Sequence, residues 1–92
     1  MKILTATHIE TVGRNAVIVY YPYDFGSCSE FRELYYNNSL ICKFDYNIGK
    51  IHKLNIDFKN ADKGKIKALK YFIDNATTIN FKNLKKNTEF YL

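Results

Sequence analysis

Cys28, Cys42, His8 and His52 are the side chains of this sequence best suited to nucleophilic or metal chemistry. A Cys–His nucleophile needs a thiolate formed at neutral pH by a neighbouring base. Nothing in the spacing sets a histidine beside a cysteine. His52 alternates with Leu54, Ile56 and Phe58, which makes it a boundary residue of a strand. Structural zinc sites take their ligands from closely spaced pairs, and these four residues are scattered, so neither a metal nor a cofactor is expected. Two cysteines are also too few for a secreted disulfide scaffold and read as reduced thiols. Asp24-Phe25-Gly26 has the letters of the metal-binding tripeptide of protein kinases, but 92 residues leave no room for the phosphate-binding and catalytic loops that accompany it. The polar set Asp24, Cys28, Ser29, Glu30, Arg32 and Glu33 surrounds one irregular loop without a catalytic pattern. The chain is expected not to be an enzyme. The enzymatic alternative is a small metal-independent RNase toxin working by acid–base chemistry on RNA, permitted by the lysines and tyrosines but opposed by only two Arg and two His.

Binding chemistry is better represented. The net charge is +5 and is unevenly placed. Residues 1–58 hold six basic and six acidic groups, whereas residues 59–92 hold eight lysines against Asp62, Asp74 and Glu89. At about 100° per residue, Lys59, Lys63, Lys67 and Lys70 fall within about 80° on a helix, turned away from an Ile66/Leu69/Ile73 stripe whose centre lies about 80° round the axis. Lys65 lies at the apolar edge, where its stem can lie over the stripe. Such a row is either a solvated helix face or a surface for polyanions. Lysine lacks arginine's bidentate geometry, so nucleic-acid contacts made here would go to the backbone. No RRM, zinc-finger, KH or helix-turn-helix signature accompanies the lysines. Tyr23 and Phe25, beyond Pro22, are the second candidates, because loop aromatics are favoured anchors in protein interfaces.

These residues must be positioned by a small set of elements. Alternation and β-branched content predict a strand over residues 2–11, then a turn at Val12-Gly13-Arg14-Asn15. Residues 16–21 are apolar on both faces and predict a strand covered on two sides. Residues 22–29 form the irregular loop, and residues 31–36 lean to strand over helix. Asn37-Asn38 is a hairpin turn. Leu40, Cys42, Phe44 and Tyr46 alternate with Lys43 and Asp45 on the next strand. After Asn47-Ile48-Gly49-Lys50 a fifth strand runs over residues 51–58. Ile66, Leu69, Phe72, Ile73 and Ala76 mark one face of a helix with Asn60 as its N-cap. Residues 79–84 and 88–91 predict a closing hairpin. The fold class is therefore α+β: one domain over residues 1–92, a mostly antiparallel five-strand meander, a helix on one face and a C-terminal hairpin.

No stretch has the apolar core of a signal peptide. The longest apolar run, residues 16–23, is far shorter than a membrane span. A cytoplasmic protein is expected, with no membrane contact. Lys, Asn, Ile, Tyr and Phe make up 47 of the 92 residues, a bias toward A/T-rich codons that fits a low-GC bacterium or its mobile elements. Small solitary domains in that setting often serve as accessory factors. The function expected is a stoichiometric binding protein, an accessory or inhibitor carried by a phage or other mobile element. Its class is the anti-defence proteins, anti-CRISPRs among them. Its partner is a larger host protein or nucleoprotein whose surface it masks. Direct nucleic-acid binding through the same lysines is the alternative.

Overall fold

Hairpin turns come where residues tolerate a left-handed backbone. Gly13, Asn37, Asn38 and Gly49 all have positive φ, which Gly and Asn adopt at least cost. The computed structural model describes residues 8–21 and 30–84. Between these turns lie β1 (His8–Val12), β2 (Ala16–Tyr21), β3 (Phe31–Tyr36), β4 (Ser39–Asp45) and β5 (Lys50–Leu54). They pair in chain order as one antiparallel sheet. The expected meander is present, and residues 31–36 are strand. The helix α1 (Lys63–Ala76) packs on one face of the sheet.

Two β-bulges change which side chains face that helix. Leu34 pairs with Cys42 and Tyr35 with Leu40, so Ile41 is the extra residue on β4. Ile41 and Cys42 are consequently both buried in the core, while Leu40, expected on the core face, is only half-buried. On β5, Lys43 pairs with Lys53 and Phe44 with Ile51, leaving His52 as the extra residue. Ile51 is then the buried residue and His52 is exposed. This corrects the simple alternation that grouped His52 with Leu54, Ile56 and Phe58.

The core is a single seam. Ile18, Leu34, Cys42, Phe44 and Ile51 from the sheet meet Leu69, Phe72, Ile73 and Ala76 from α1. On the opposite face of β2, Val19 is buried as fully as Ile18, while Val17 and Tyr21 are half-buried. The second side of the strand, expected to be covered, is thus closed at its centre and partly open at Val17 and Tyr21.

The ends of α1 differ from expectation for identifiable reasons. Asp57 claims the residue expected to cap the helix: its Oδ2 accepts from Asn60 Nδ2 and its Oδ1 from the Lys59 N–H. The Asn60 and Ala61 N–H groups also bond to the Asp57 carbonyl. The chain therefore turns through residues 57–61, β5 stops at Leu54, and Asp62 becomes the N-cap, accepting from the Lys65 N–H at 2.7 Å. Lys59 lies in this turn and not on the helix. Tyr36 Oη donates to the same Asp62 oxygen at 3.0 Å. Gly64 makes room for it, because a Cβ there would stand 2.7 Å from the Tyr36 hydroxyl oxygen.

The strand expected over residues 79–84 is replaced by a 3-10 turn, Phe81–Asn83. Side chains consume the donors a ladder would need. Thr77 Oγ1 accepts from the Ile79 N–H and donates to the Ile73 carbonyl. Asp74 Oδ1 accepts from the Phe81 N–H at 3.0 Å. Leu84 is then carried into the core. The partner strand expected over residues 88–91 and the start of the first strand, residues 2–7, lie outside the described residues.

The seam should dominate stability. Phe72→Ala is expected to cost about 3–5 kcal/mol, and Lys67→Ala no more than about 0.5 kcal/mol, in urea unfolding followed by circular dichroism. Similar losses for the two variants would contradict this packing.

Candidate functional site

Between Asp57 and Leu84 the chain carries six lysines (59, 63, 65, 67, 70 and 82) and three aspartates (57, 62 and 74). All three carboxylates are turned onto backbone donors. Asp57 accepts from the Lys59 N–H, Asp62 from the Lys65 N–H and Asp74 from the Phe81 N–H. The Lys65 N–H is the main cause holding the Asp62 carboxyl below its usual range. The Phe81 N–H, followed by Lys70, does the same for Asp74. The acids of this half thus build turns and caps, and of them Asp74 alone, among the described residues, also pairs with a lysine, Lys70.

Lys63, Lys67 and Lys70 are exposed on α1 at spacings of four and three, so they form one row. Lys59 is exposed in the turn leading into the helix. Lys70 Nζ pairs with Asp74 at 3.2 Å. No carboxylate among the described residues lies within ion-pair distance of Lys59, Lys63 or Lys67. Lys65 behaves as its edge position implies: it is half-buried, with Nζ 5.8 Å from the centre of the Tyr36 ring. Tyr23 and Phe25, the other candidate contacts, lie outside the described residues.

A groove of 690 Å³ adjoins the row. Phe58 and Phe81 line it together with Leu84, Lys70, Asp74, Asn80 and Lys82. Simple periodicity does not reveal this groove, because it sets Phe58 on a buried strand face and Phe81 within another strand. The available clue is local: Asp57 and Asn60 around Phe58, and Thr77-Thr78 and Asn80 before Phe81, are turn formers beside aromatic residues.

A second polar cluster sits where β1 and β3 meet the helix. Its members, His8, Glu10, Tyr20, Arg32 and Tyr71, are residue types that metal-independent RNA cleavage employs. Here they are engaged in holding the fold. Tyr20 Oη donates to Glu10 Oε1 at 3.0 Å and Tyr71 Oη to Glu10 Oε2 at 2.5 Å. Burial, then the Glu10 bond, pushes Tyr20 up to about 12, so it stays a donor at neutral pH. Arg32 Nη1 donates to the Ala76 carbonyl at 2.6 Å and Nη2 to Glu30 at 3.0 Å. Its guanidinium lies between the Tyr20 and Tyr46 rings, 5.1 and 3.9 Å from their centres. It sits at the negative end of the helix dipole, whose last turn has no basic residue of its own. The His8 ring packs against Tyr20 at 5.3 Å. On the other sheet face, Glu33 is only 8% exposed and bonds to the Tyr21 and Tyr35 hydroxyls. Burial, then Glu33, raises the pKa of both tyrosines.

Of the thiols, Cys42 is fully buried, and burial pushes it up to about 12. That is the signature of a structural cysteine, inert at neutral pH. Cys28 and Asp24-Phe25-Gly26 lie outside the described residues. Among the described residues no cluster of three or more His, Cys, Asp or Glu is placed to hold a metal. No helix among them is long and apolar enough to cross a membrane. No protein-family model, no curated protein and no solved structure matches this chain.

Two outcomes are expected. Asp62 and Asp74 have lowered folded pKa values, so their stabilisation is complete above the unfolded value near about 4 and is lost as pH falls through the folded values. The urea midpoint should therefore fall on acidification below about pH 4, and Asp62→Asn/Asp74→Asn should flatten that fall. An unchanged slope in the double variant would contradict the assignment. In Cys28→Ser protein, Cys42 should react with Ellman's reagent only at the rate of unfolding. Rapid labelling of the native chain would contradict its burial.

Proposed function

We propose that this protein is a stoichiometric binding protein that masks a negatively charged surface of a larger protein or nucleoprotein. Lys59, Lys63, Lys67 and Lys70 make the first contact. The observation that carries this reading is the division of charge between residues 57 and 84: carboxylates committed to backbone donors, lysines exposed in a row. A one-sign patch of this kind steers encounter with an oppositely charged partner and selects against like-charged ones. The commitment of Glu10 and Arg32 to structural bonds favours binding over acid–base chemistry at that cluster. The small basic domain and its bias toward amino acids with A/T-rich codons suit an inhibitor or accessory carried by a phage or mobile element, of the anti-defence and anti-CRISPR kind. Such a protein acts in the host cytoplasm.

Direct nucleic-acid binding is the second reading, favoured by the same exposed row, which suits phosphate contacts. Its affinity should fall steeply with salt and be largely indifferent to sequence.

Pull-down from the native host, or from its phage-infected cells, separates the two. One large partner at near-equal stoichiometry is the expected result, lost in the Lys59→Glu/Lys63→Glu/Lys67→Glu variant. Lys70 is retained there because a glutamate would face Asp74. The variant's urea midpoint should match the parent's. Recovery of bulk RNA would favour the second reading, and full retention of the partner by the variant would overturn the lysine assignment.

A further inference from the structure

The groove beside the lysine row has the form of an interface centre with a charged rim. Phe58 is 42% exposed, although it is one of the largest apolar side chains in the chain. With Phe81 and Leu84 it gives the groove a mainly apolar lining. Its 690 Å³ falls within the about 300–1,000 Å³ typical of ligand pockets. Among the described residues, the charged groups on its walls are Lys70, Asp74 and Lys82. Asp74 is neutralised within the wall, since one oxygen accepts from the Phe81 N–H and the other from Lys70 Nζ. Lys82 is exposed and has no ion-pair partner among the described residues. The groove therefore accepts an apolar group without opposing the carboxylates that flank it.

We infer that the groove seats an apolar anchor side chain of an acidic protein segment, whose neighbouring carboxylates lie against Lys82, Lys63 and Lys67. This rests on the basic-surface reading above and specifies the partner's chemistry. An acidic polypeptide fits better than a nucleic acid because of what the lining offers. A nucleobase carries donors and acceptors along its edge, and burying them unpaired is costly. Asn80 is the one neutral polar side chain among the described lining residues. A phenylalanine or leucine side chain makes no such demand. Interfaces commonly combine these parts, with an aromatic or aliphatic anchor in a desolvated pocket and charges at its edge.

The test is a ¹H–¹⁵N NMR titration of the full chain with three probes. They are the peptide acetyl-Glu-Asp-Phe-Glu-Asp-amide, the same peptide with Ser in place of Phe, and a ten-residue oligouridylate. The Phe peptide should shift the amides of Phe58, Phe81 and Lys82 saturably, together with those of Lys63 and Lys67. The Ser peptide should move only the helix amides and bind at least about tenfold more weakly, the scale of one anchor contact. Phe58→Ser should reduce the Phe peptide to the Ser peptide's affinity while leaving the Ser peptide's own binding unchanged. The peptide pair keeps the test valid even if that variant folds poorly. Equal affinities for the two peptides, or Phe-peptide shifts confined to the helix, would overturn the groove assignment and leave the basic surface standing. Saturable movement of the groove amides by oligouridylate would overturn the choice of polypeptide. Absence of any shift at Lys63 and Lys67 with all three probes would instead count against the basic surface itself.

Discussion

The seam between α1 and the sheet is the constraint on which the rest of the molecule depends. A chain this short has one modest core to build, and its helical half comes from Leu69, Phe72, Ile73 and Ala76. Both ends of that helix are fastened to β3. Tyr36 reaches Asp62 at the N-terminus and Arg32 reaches the Ala76 carbonyl at the C-terminus. Tyr71, bonded to Glu10, ties the flank of the helix to β1. Because the apolar stripe must face the sheet, the rotation of the helix is set, and with it the direction in which Lys63, Lys67 and Lys70 point.

The same constraint sorts the charges. Helix ends and tight turns leave N–H groups that need acceptors, and Asp57, Asp62 and Asp74 supply them. Among the described residues these carboxylates leave Lys59, Lys63 and Lys67 without an ion-pair partner, and only Asp74 also reaches a lysine of the row, Lys70. The positive surface is thus a consequence of how the acidic residues are spent, beyond what the net charge alone implies. The groove arises from the same turns. Asp57 reverses the chain beside Phe58, and Asp74 draws in the backbone at Phe81, so two aromatic rings flank a hollow with lysines at its edge.

Much of the architecture could be read directly from residue patterns. Alternation along Cys42, Phe44 and their neighbours, Asn-Asn and Gly turns, and the three- and four-residue steps from Ile66 to Ala76 together imply a meander with one helix. What escaped such reading depends on contacts between distant residues. The bulges at Ile41 and His52 shift strand phase without any marker in local composition. Asn60 is a good cap by type, yet Asp57 binds it first. Residues 79–84 have strand-like composition, but Thr77 and Asp74 take their backbone donors. The lysine row was visible from helical spacing, apart from Lys59, whereas the groove needs Phe58 and Phe81 brought together across α1. The engagement of Arg32 with Ala76 spans 44 positions and has no local signal at all.

The central claim is that the face bearing Lys59, Lys63 and Lys67 is the one a partner covers. Reductive methylation of lysines, read by mass spectrometry on the free chain and on its complex with the captured partner, tests this directly. Lys59, Lys63 and Lys67 should be dimethylated in the free chain and strongly shielded in the complex, with Lys43, Lys50 and Lys53 modified alike in both. Shielding of Lys43, Lys50 and Lys53 while the helix lysines stay fully reactive would contradict the account.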